Sequence, residues 1–274
     1  AGCVNTCSSS ITYREKKLST MTNYQKVYKY RVVAPTVHNS SSFPLDSILR
    51  KMAGIIYLFV VALALSSVDA DSYCQLNNCK GRPHTLCLYP SPKPANQCVA
   101  YKSASLTEEE KNEIRLLHNK LRNRVASGRE TRGINGPQPA GYIPPLEWDE
   151  ELAEIAQRWA NQCTDGHDQC RNVERFPVGQ NVGRKGWSNG YNAKVSEIVQ
   201  AWYDEVENFD SQVVPSFRSS KKLTGHYTQL VWGETTRIGC GLMRYKRGAM
   251  FTVHLVCNYG PAGNWLDEPI YQTR

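Results

Sequence analysis

Apolar residues repeat at helical spacing in three segments of the chain. The first segment, "TEEEKNEIRLLHNKLRNRVASG", has capping-box spacing between Thr107 and Glu110, so a helix is predicted to begin there and to close near Gly128. Its apolar stripe consists of Ile114, Leu117, Leu121 and Val125. His118 lies at the margin of this stripe, where a core-edge histidine bonded to a neighbour is expected. "DEELAEIAQRWANQC" and "NAKVSEIVQAWYDEVENF" repeat the period, so three amphipathic helices are predicted.

After residue 222 the pattern changes from helical spacing to strand-like alternation. "HYTQLVW", "RIGCGLMRYK" and "MFTVHLVCNY" are rich in β-branched and aromatic residues, and "KRGA" between the last two suits a hairpin turn. Three strands are therefore predicted. Helices that precede a small antiparallel sheet indicate an α+β domain, in which the helices cover the sheet.

A short apolar run, Ile55 to Leu65, precedes this domain. It is shorter than the roughly 20 apolar residues that a bilayer-spanning helix needs. Basic residues come before it and small residues follow, which is the pattern of a secretory signal; a buried core helix is the alternative. We interpret residues 52–70 as a signal peptide cut before Asp71, and residues 1–51 as a leader or non-native extension. The mature chain is then expected to be extracellular, with no transmembrane segment.

Charge argues against a nucleic-acid partner. The whole chain has 33 Lys and Arg against 25 Asp and Glu. Residues 71–274 retain 25 basic and 22 acidic residues, without a basic cluster in the sequence. Nucleic-acid binding depends on such a cluster because phosphate contacts supply much of the affinity. We therefore expect no nucleic-acid partner.

Cysteines divide the exported part into a head, residues 71–104, and a body, residues 105–274. An even number of cysteines in an oxidising compartment predicts disulfides, and zinc coordination is the alternative. The cysteines after residue 70 are Cys74, Cys79, Cys87, Cys98, Cys163, Cys170, Cys240 and Cys257. Spacing alone leaves their pairing open. The proline-rich stretch "LYPSPKPANQC" predicts that residues 74–98 are irregular, extended and held by disulfides.

Four motifs now carry a family resemblance: "HNKLR" at 118–122, "GQNV" at 179–182, "GHYTQLVWGET" at 225–235 and "HLVCNYGPAGNW" at 254–265. They resemble the signatures of the CAP superfamily, the cysteine-rich secretory, antigen 5 and pathogenesis-related proteins. "NYGPAGNW", "RWANQC" and the cysteine-rich head are similar to the antigen 5 group of insect venoms, and to ant venom allergens in particular.

The resemblance covers about residues 73–274 and implies a fold. It implies a disulfide-stapled α-β-α sandwich around a central three-stranded antiparallel sheet, with residues 105–274 as the CAP domain. It also implies the disulfide pairs Cys74–Cys87, Cys79–Cys170, Cys98–Cys163 and Cys240–Cys257.

The resemblance further implies a central cleft lined by two histidines and two acidic side chains. By motif position these are His167, His226, Glu205 and residue 180, which is Gln180 in this chain and not glutamate. His167, Glu205 and His226 are candidate ligands for Zn²⁺ or another divalent cation, with water completing the site. The alternative is that His226 only hydrogen-bonds Glu205 across a polar cleft. No cofactor is expected to be required.

Three functions of different classes follow. The first is a secreted, non-catalytic venom allergen 5-like protein that binds a lipid, such as a sterol or fatty acid, or a host protein. The second is a metal-dependent hydrolase that uses His167, Glu205 and His226, and the third is a structural scaffold with exposed interaction loops. The first is favoured because Gln180 cannot act as a base and because the chain has no HExxH helix. An apolar groove between the helices would favour lipid binding over the scaffold.

Overall fold

The computed structural model describes residues 70–274; the segment before the predicted signal peptide, and that peptide apart from its last residue, lie outside this range. The helices of the described part are α1 (Ala70–Cys74), α2 (Thr85–Leu88), α3 (Glu108–Ala126), α4 (Glu150–Ala160), α5 (Val195–Asp204) and α6 (Gly225–Val231). Its strands are β1 (Gly141–Tyr142), β2 (Glu147–Trp148), β3 (Gly179–Trp187), β4 (Arg237–Arg247), β5 (Met250–Gly260) and β6 (Gln272–Thr273). Short 3₁₀ turns occupy Asn77–Cys79, Glu205–Asn208 and Ser211–Val213.

The three predicted amphipathic helices are confirmed as α3, α4 and α5. Thr107 Oγ1 accepts a hydrogen bond from the Glu110 backbone N–H at 3.2 Å, and the Glu110 carboxylate accepts one from the Thr107 N–H at 3.0 Å. This capping box satisfies amide groups that the first turn leaves without partners. Past the end of the helix, Gly128 adopts a positive φ of 69°, which suits a residue without a side chain.

The central sheet has the strand order β2-β4-β5-β3, which is one short strand more than the three predicted. Strands β3, β4 and β5 are antiparallel and form its main part, whereas the two-residue β2 runs parallel to β4 at one edge. β4 and β5 form the predicted hairpin, in which Cys240 lies opposite Cys257. A second, two-stranded sheet joins β1 to β6.

The prediction that "HYTQLVW" is a strand is wrong, because these residues belong to helix α6. Tyr227, Leu230 and Val231 are all fully buried, and their spacing places them on one helical face. Both backbone N–H groups of His226 and Tyr227 donate to the Glu205 carboxylate, at 2.9 and 3.1 Å. Packing and this carboxylate at the first turn therefore outweigh the β-propensity of the aromatic and β-branched residues.

The third main strand is β3, which the sequence pattern does not reveal. Its sequence "GQNVGRKGW" contains three glycines and few β-branched residues. Gly183 is required by packing: a Cβ there would lie 2.5 Å from Ile198 and 2.9 Å from Trp202. The absence of a side chain lets helix α5 lie close to the strand, and the same absence weakens the strand signal in the sequence.

Helices cover both faces of the sheet, which confirms the α-β-α sandwich. Helix α4 lies against one face so closely that a Cβ on Gly239 or Gly241 would come within 2.2 Å of its backbone. On the other face, Ile238, Leu242 and Leu255 are fully buried in the main hydrophobic core. Helices α3, α5 and α6 contribute further residues to that core, together with several loop segments.

The head is more regular than predicted, because helices α1 and α2 and a 3₁₀ turn lie within or at the border of residues 74–98. All four disulfide pairs agree with those that the resemblance implies: Cys74–Cys87, Cys79–Cys170, Cys98–Cys163 and Cys240–Cys257. Two of these pairs connect the head to the body. Among residues 70–274, no helix has the length and apolar character needed to cross a membrane.

Candidate functional site

His226 and Glu205 form a closed pair where helix α6 begins. His226 Nδ1 lies 2.5 Å from Glu205 Oε1, while Glu205 Oε2 accepts the two backbone N–H groups of α6. The His226 ring stacks on Trp202, with 5.9 Å between ring centroids and 19° between planes. Glu205 thus caps the helix and orients the imidazole at the same time.

His167 pairs with the amide that replaces the expected acid. His167 Nδ1 lies 2.8 Å from Gln180 Oε1, and Gln180 Nε2 donates to Asn258 Oδ1 at 3.0 Å. Because an amide oxygen can only accept, the proton of this contact belongs to His167 Nδ1. Burial lowers the pKa of His167 and the Arg171 charge adds to this effect, against the hydrogen bond with Gln180, which raises the pKa. His167 is therefore neutral at neutral pH.

The three candidate metal ligands are engaged with protein partners in this arrangement. Among residues 70–274, no group of three or more His, Cys, Asp or Glu side chains is placed to hold a metal ion. Both oxygens of Glu205 already accept hydrogen bonds from α6 or His226. The residues do not fit a three-ligand zinc site unless Glu205 gives up its contact with His226, so metal binding stays a prediction.

The four predicted cleft residues line two different hollows. His167 and Gln180 line an open, polar hollow of about 530 Å³ that Arg82, Gln229 and Asn264 also border. His226 and Glu205 line a groove of about 380 Å³ between helix α5 and strand β3. The apolar walls of this second groove, called here the α5–β3 groove, are formed by Val182, Gly183, Ile198, Ala201, Trp202 and Leu223.

The space between helices α3 and α5 is also open. An open hollow of about 450 Å³ lies there, bordered by Leu117 and Ala201 and by the polar side chains Ser196, Glu197, Gln200 and Asp204. This hollow lies between helices, whereas the α5–β3 groove, which has more apolar side chains along its walls, lies between a helix and a strand.

A buried polar chain connects helix α3 to the His226 backbone. His118 Nδ1 lies 2.8 Å from the Ile114 carbonyl oxygen and Nε2 lies 2.8 Å from Tyr259 Oη. Asn181 Nδ2 donates to Tyr259 Oη at 3.2 Å and to the His226 carbonyl oxygen at 3.0 Å. The predicted hydrogen-bonded role of His118 is confirmed, although the residue is fully buried and not at the core edge.

Replacing His118 by glutamine is expected to flatten the acid dependence of stability. Burial lowers the pKa of His118 to about 4, below the value of about 6.5 for an unfolded chain. The neutral form therefore stabilises the fold above pH 6.5, and this contribution, about 3 kcal/mol, is lost as the pH falls from about 6.5 to 4. Urea unfolding measured across that pH range should show that the unfolding free energy of His118→Gln does not include this acid-dependent decrease.

His254 serves as the internal reference for this experiment. Burial lowers its pKa to about 3 and, since it is present in both proteins, it contributes the same acid loss to each. Parallel curves of unfolding free energy against pH for the native protein and His118→Gln would contradict the assignment.

A GxSxG pattern, which in some hydrolases marks a nucleophilic serine, occurs as "GWSNG" at residues 186–190. Ser188 follows the end of β3 in an exposed turn, and helix α5 begins only at Val195. No described histidine hydrogen-bonds Ser188. This position lacks both the strand-turn-helix geometry and the base that an activated serine needs.

Known proteins that resemble the chain share its family. Residues 116–259 match the CAP family, described as the cysteine-rich secretory protein family. Venom allergen 3 of Solenopsis invicta is 49% identical over 82% of this chain and 100% of its own length. Venom allergen 5.02 of Dolichovespula maculata is 45% identical over 77% of this chain and 98% of its own.

A solved structure of similar sequence supports the same fold. The crystal structure of NaASP2 with Zn²⁺ is 28% identical to the chain, with a TM-score of 0.53, and the match covers 66% of this chain and 90% of that one. The sandwich, the disulfides and these relatives agree with the resemblance seen in the sequence. The chain therefore belongs to the CAP family and is a venom allergen 5-like member of it.

Proposed function

We propose that the protein is a secreted, non-catalytic binding protein that holds the hydrocarbon part of a lipid in the α5–β3 groove. The signal-peptide pattern of residues 52–70 and the disulfides support secretion, because disulfides persist in oxidising compartments. Relatives named as insect venom allergens agree with an extracellular setting.

The groove itself is the observation that carries the proposal. Its volume of about 380 Å³ falls in the range of small-molecule sites, and the exposed surface of its walls is mostly apolar. Its polar groups come from the bordering residues Arg184, Lys185, Glu197, Glu205 and His226. This combination suits an amphipathic ligand such as a fatty acid or sterol, whose polar end needs a hydrogen bond and whose body needs apolar contact. A host protein is the other partner class in this proposal.

The chemistry of the paired residues supports binding over turnover. Gln180 offers an amide where a carboxylate could act as a base, and Glu205 already accepts three contacts. By likeness to NaASP2, whose structure contains Zn²⁺, a divalent cation held by His167, Glu205 and His226 is proposed as an optional ligand and not as a required cofactor; its binding would need Glu205 to release His226. Metal-dependent hydrolysis that is lost in His226→Ala would contradict the non-catalytic proposal.

Replacing Leu223 by aspartate is expected to weaken lipid binding. Leu223 borders the groove and keeps 66% of its surface exposed, so the change leaves the core intact. A carboxylate on an apolar wall loses apolar contact and stays solvated, so affinity should fall about tenfold or more. Titration of the secreted protein with a fluorescent fatty acid measures the change, and mass spectrometry of native material identifies any lipid that co-purifies.

Leu116→Asp is the matched control, because Leu116 is 58% exposed on helix α3 and outside the groove. We expect its affinity to equal that of the native protein. Equal loss in both variants, or no lipid on native material and no binding of the probe, would instead favour a scaffold with interaction loops.

A further inference from the structure

Three segments meet where the central sheet ends. Residues 99–102, 185–191 and 246–251 are called here the sheet-end surface; they include the end of β3 and the β4–β5 turn. Trp187 lies opposite Phe251 in the register, and Phe251 lies opposite Lys246. Residues directly opposite each other share a face, so these three side chains form a row across three strands.

Specific contacts make the segments one surface. The Lys246 backbone N–H donates to the Val99 carbonyl oxygen at 2.9 Å, which fixes residues 99–102 along the outer edge of β4. Tyr191 Oη donates to the Ala100 carbonyl oxygen at 3.0 Å, and its ring meets the Phe251 ring edge-on, with centroids 5.2 Å apart. The loop after β3 is thereby held against the other two segments.

The surface exposes large apolar side chains. Val99 is 60% exposed, Tyr101 53%, and Trp187 and Met250 40% each. They are four of the eleven exposed large hydrophobic side chains in the part of the chain that the structure describes. Met250 is one position before Phe251, so it lies on the sheet face opposite to Trp187, and the four side chains surround the end of the sheet. Single exposed apolar residues are ordinary, but a group of them around one end of a sheet marks an interaction site.

The same surface carries only positive charge. It contains the basic residues Lys102, Lys185, Lys246 and Arg247 and no aspartate or glutamate. Two acids from outside the surface reach it: Glu197 pairs with Lys185 at 2.9 Å and Asp165 pairs with Arg247 at 2.8 Å.

Two cations remain without an acidic partner. Within residues 70–274, neither Lys102 nor Lys246 has an ion-pair partner within 4 Å. Lys246 Nζ instead lies over the Phe251 ring, 4.6 Å from its centroid, and Lys185 Nζ lies 5.6 Å from the Trp187 ring. Basic groups and aromatic rings therefore alternate on the surface, with an excess of positive charge.

We propose that the sheet-end surface docks on an anionic lipid bilayer. Trp and Tyr side chains favour the headgroup level of a membrane, and lysines beside them are attracted to acidic lipids. Apolar insertion or electrostatic attraction alone gives only marginal membrane binding, whereas the two together bind more stably. A sulfated polysaccharide would use the lysines but would leave Trp187 and Met250 without a role. The inference goes beyond the proposed function, since only Lys185 of this surface borders the α5–β3 groove.

Vesicle sedimentation with the secreted protein tests the proposal. Vesicles of phosphatidylserine and phosphatidylcholine should bind the protein more tightly than phosphatidylcholine alone, and added salt should weaken binding. The double variant Lys102→Gln/Lys246→Gln should bind about thirtyfold more weakly. Trp187→Ser/Met250→Ser should lose about tenfold or more, because less apolar surface enters the interface.

Matched controls make the same kinds of charge and apolar substitution at sites outside this surface. Lys221→Gln/Lys222→Gln removes two exposed lysines elsewhere and should leave vesicle binding unchanged, as should Leu116→Ser. Leu223→Asp, which alters the groove, should also bind vesicles normally; failure of the groove proposal therefore leaves this result intact. Lipids with brominated acyl chains should quench part of the native tryptophan fluorescence, and Trp187→Phe should remove that part.

Three results would overturn the proposal. The first is equal binding to vesicles with and without phosphatidylserine. The second is an equal loss in the Lys221→Gln/Lys222→Gln control. The third is absence of vesicle binding together with binding to soluble heparin that depends on Lys102 and Lys246 but not on Trp187 and Met250, which would identify a polysaccharide site.

Discussion

Replacement of Arg122 by methionine is expected to lower the free energy of unfolding by about 4 kcal/mol. The guanidinium is 1% exposed and donates five hydrogen bonds, all to backbone carbonyl oxygens. These acceptors belong to Pro144, Leu230, Trp232 and Thr235, at distances of 2.6 to 2.9 Å. Methionine fills much of the volume but leaves these carbonyls without a donor, at a cost of about 1–3 kcal/mol for each buried group.

The loss should be specific to this position on helix α3. Arg115→Met on the same helix removes an arginine for which no hydrogen bond or ion pair is found among residues 70–274, so we expect a change below about 1 kcal/mol. Arg122→Lys should be intermediate, because an ammonium has three donors and no planar fork. Urea unfolding at neutral pH, followed by tryptophan fluorescence, measures all three. A small effect of Arg122→Met, equal to that of Arg115→Met, would show that the carbonyls find other donors.

Removing the Cys79–Cys170 disulfide is expected to cost about 3.5 kcal/mol. Its sequence separation is 91, but the Cys98–Cys163 bond lies inside this loop and shortens it to about 26 residues. The Cys240–Cys257 bond closes a separation of 17, for which the same chain-entropy model gives about 3 kcal/mol. The four cysteines are all buried, so loss of packing is similar in the two double alanine variants.

Calorimetry or urea unfolding of the two double variants gives the comparison. The order is the critical result: Cys79→Ala/Cys170→Ala should be less stable than Cys240→Ala/Cys257→Ala. The reverse order would mean that the short bond, between directly opposite strands, stabilises mainly through native packing.

Local periodicity is enough to predict the elements whose burial follows one face. The helical repeats of α3, α4 and α5 and the β4–β5 hairpin are of this kind. Strand β3 and helix α6 are not, because tertiary contacts determine both. In β3, Gly183 has no side chain, which lets helix α5 pack close to the strand. In α6, backbone N–H groups of the first turn donate to Glu205, which lies 20 or more positions earlier in the chain.

The candidate site was predictable at the level of residues but not of geometry. Motif positions identify His226, Glu205, His167 and Gln180, and the structure pairs them two by two. That the pairs line separate hollows depends on how α5, α6 and β3 pack, which the motifs do not encode.

The buried polar network was missed for a different reason. His118 and Arg122 stand four residues apart in "HNKLR", so they project from neighbouring turns of one helical face. Their spacing next to the apolar stripe is the sequence feature that indicates side chains directed toward the core. A charged side chain near a stripe is usually solvated, however, and only the carbonyls contributed by distant segments make this arginine a buried one.

The two head-to-body disulfides have a consequence under the proposed secretion, which would expose the protein to proteases outside the cell. Ile134 is 49% exposed in the stretch between helices α3 and α4, and a single cut beside it would divide the polypeptide. Cys79–Cys170 and Cys98–Cys163 both span that point, so the two fragments would stay covalently joined. Nicked protein would keep its full mass until a reductant separates the pieces, and proteolytic damage at this site would not by itself release or clear either half.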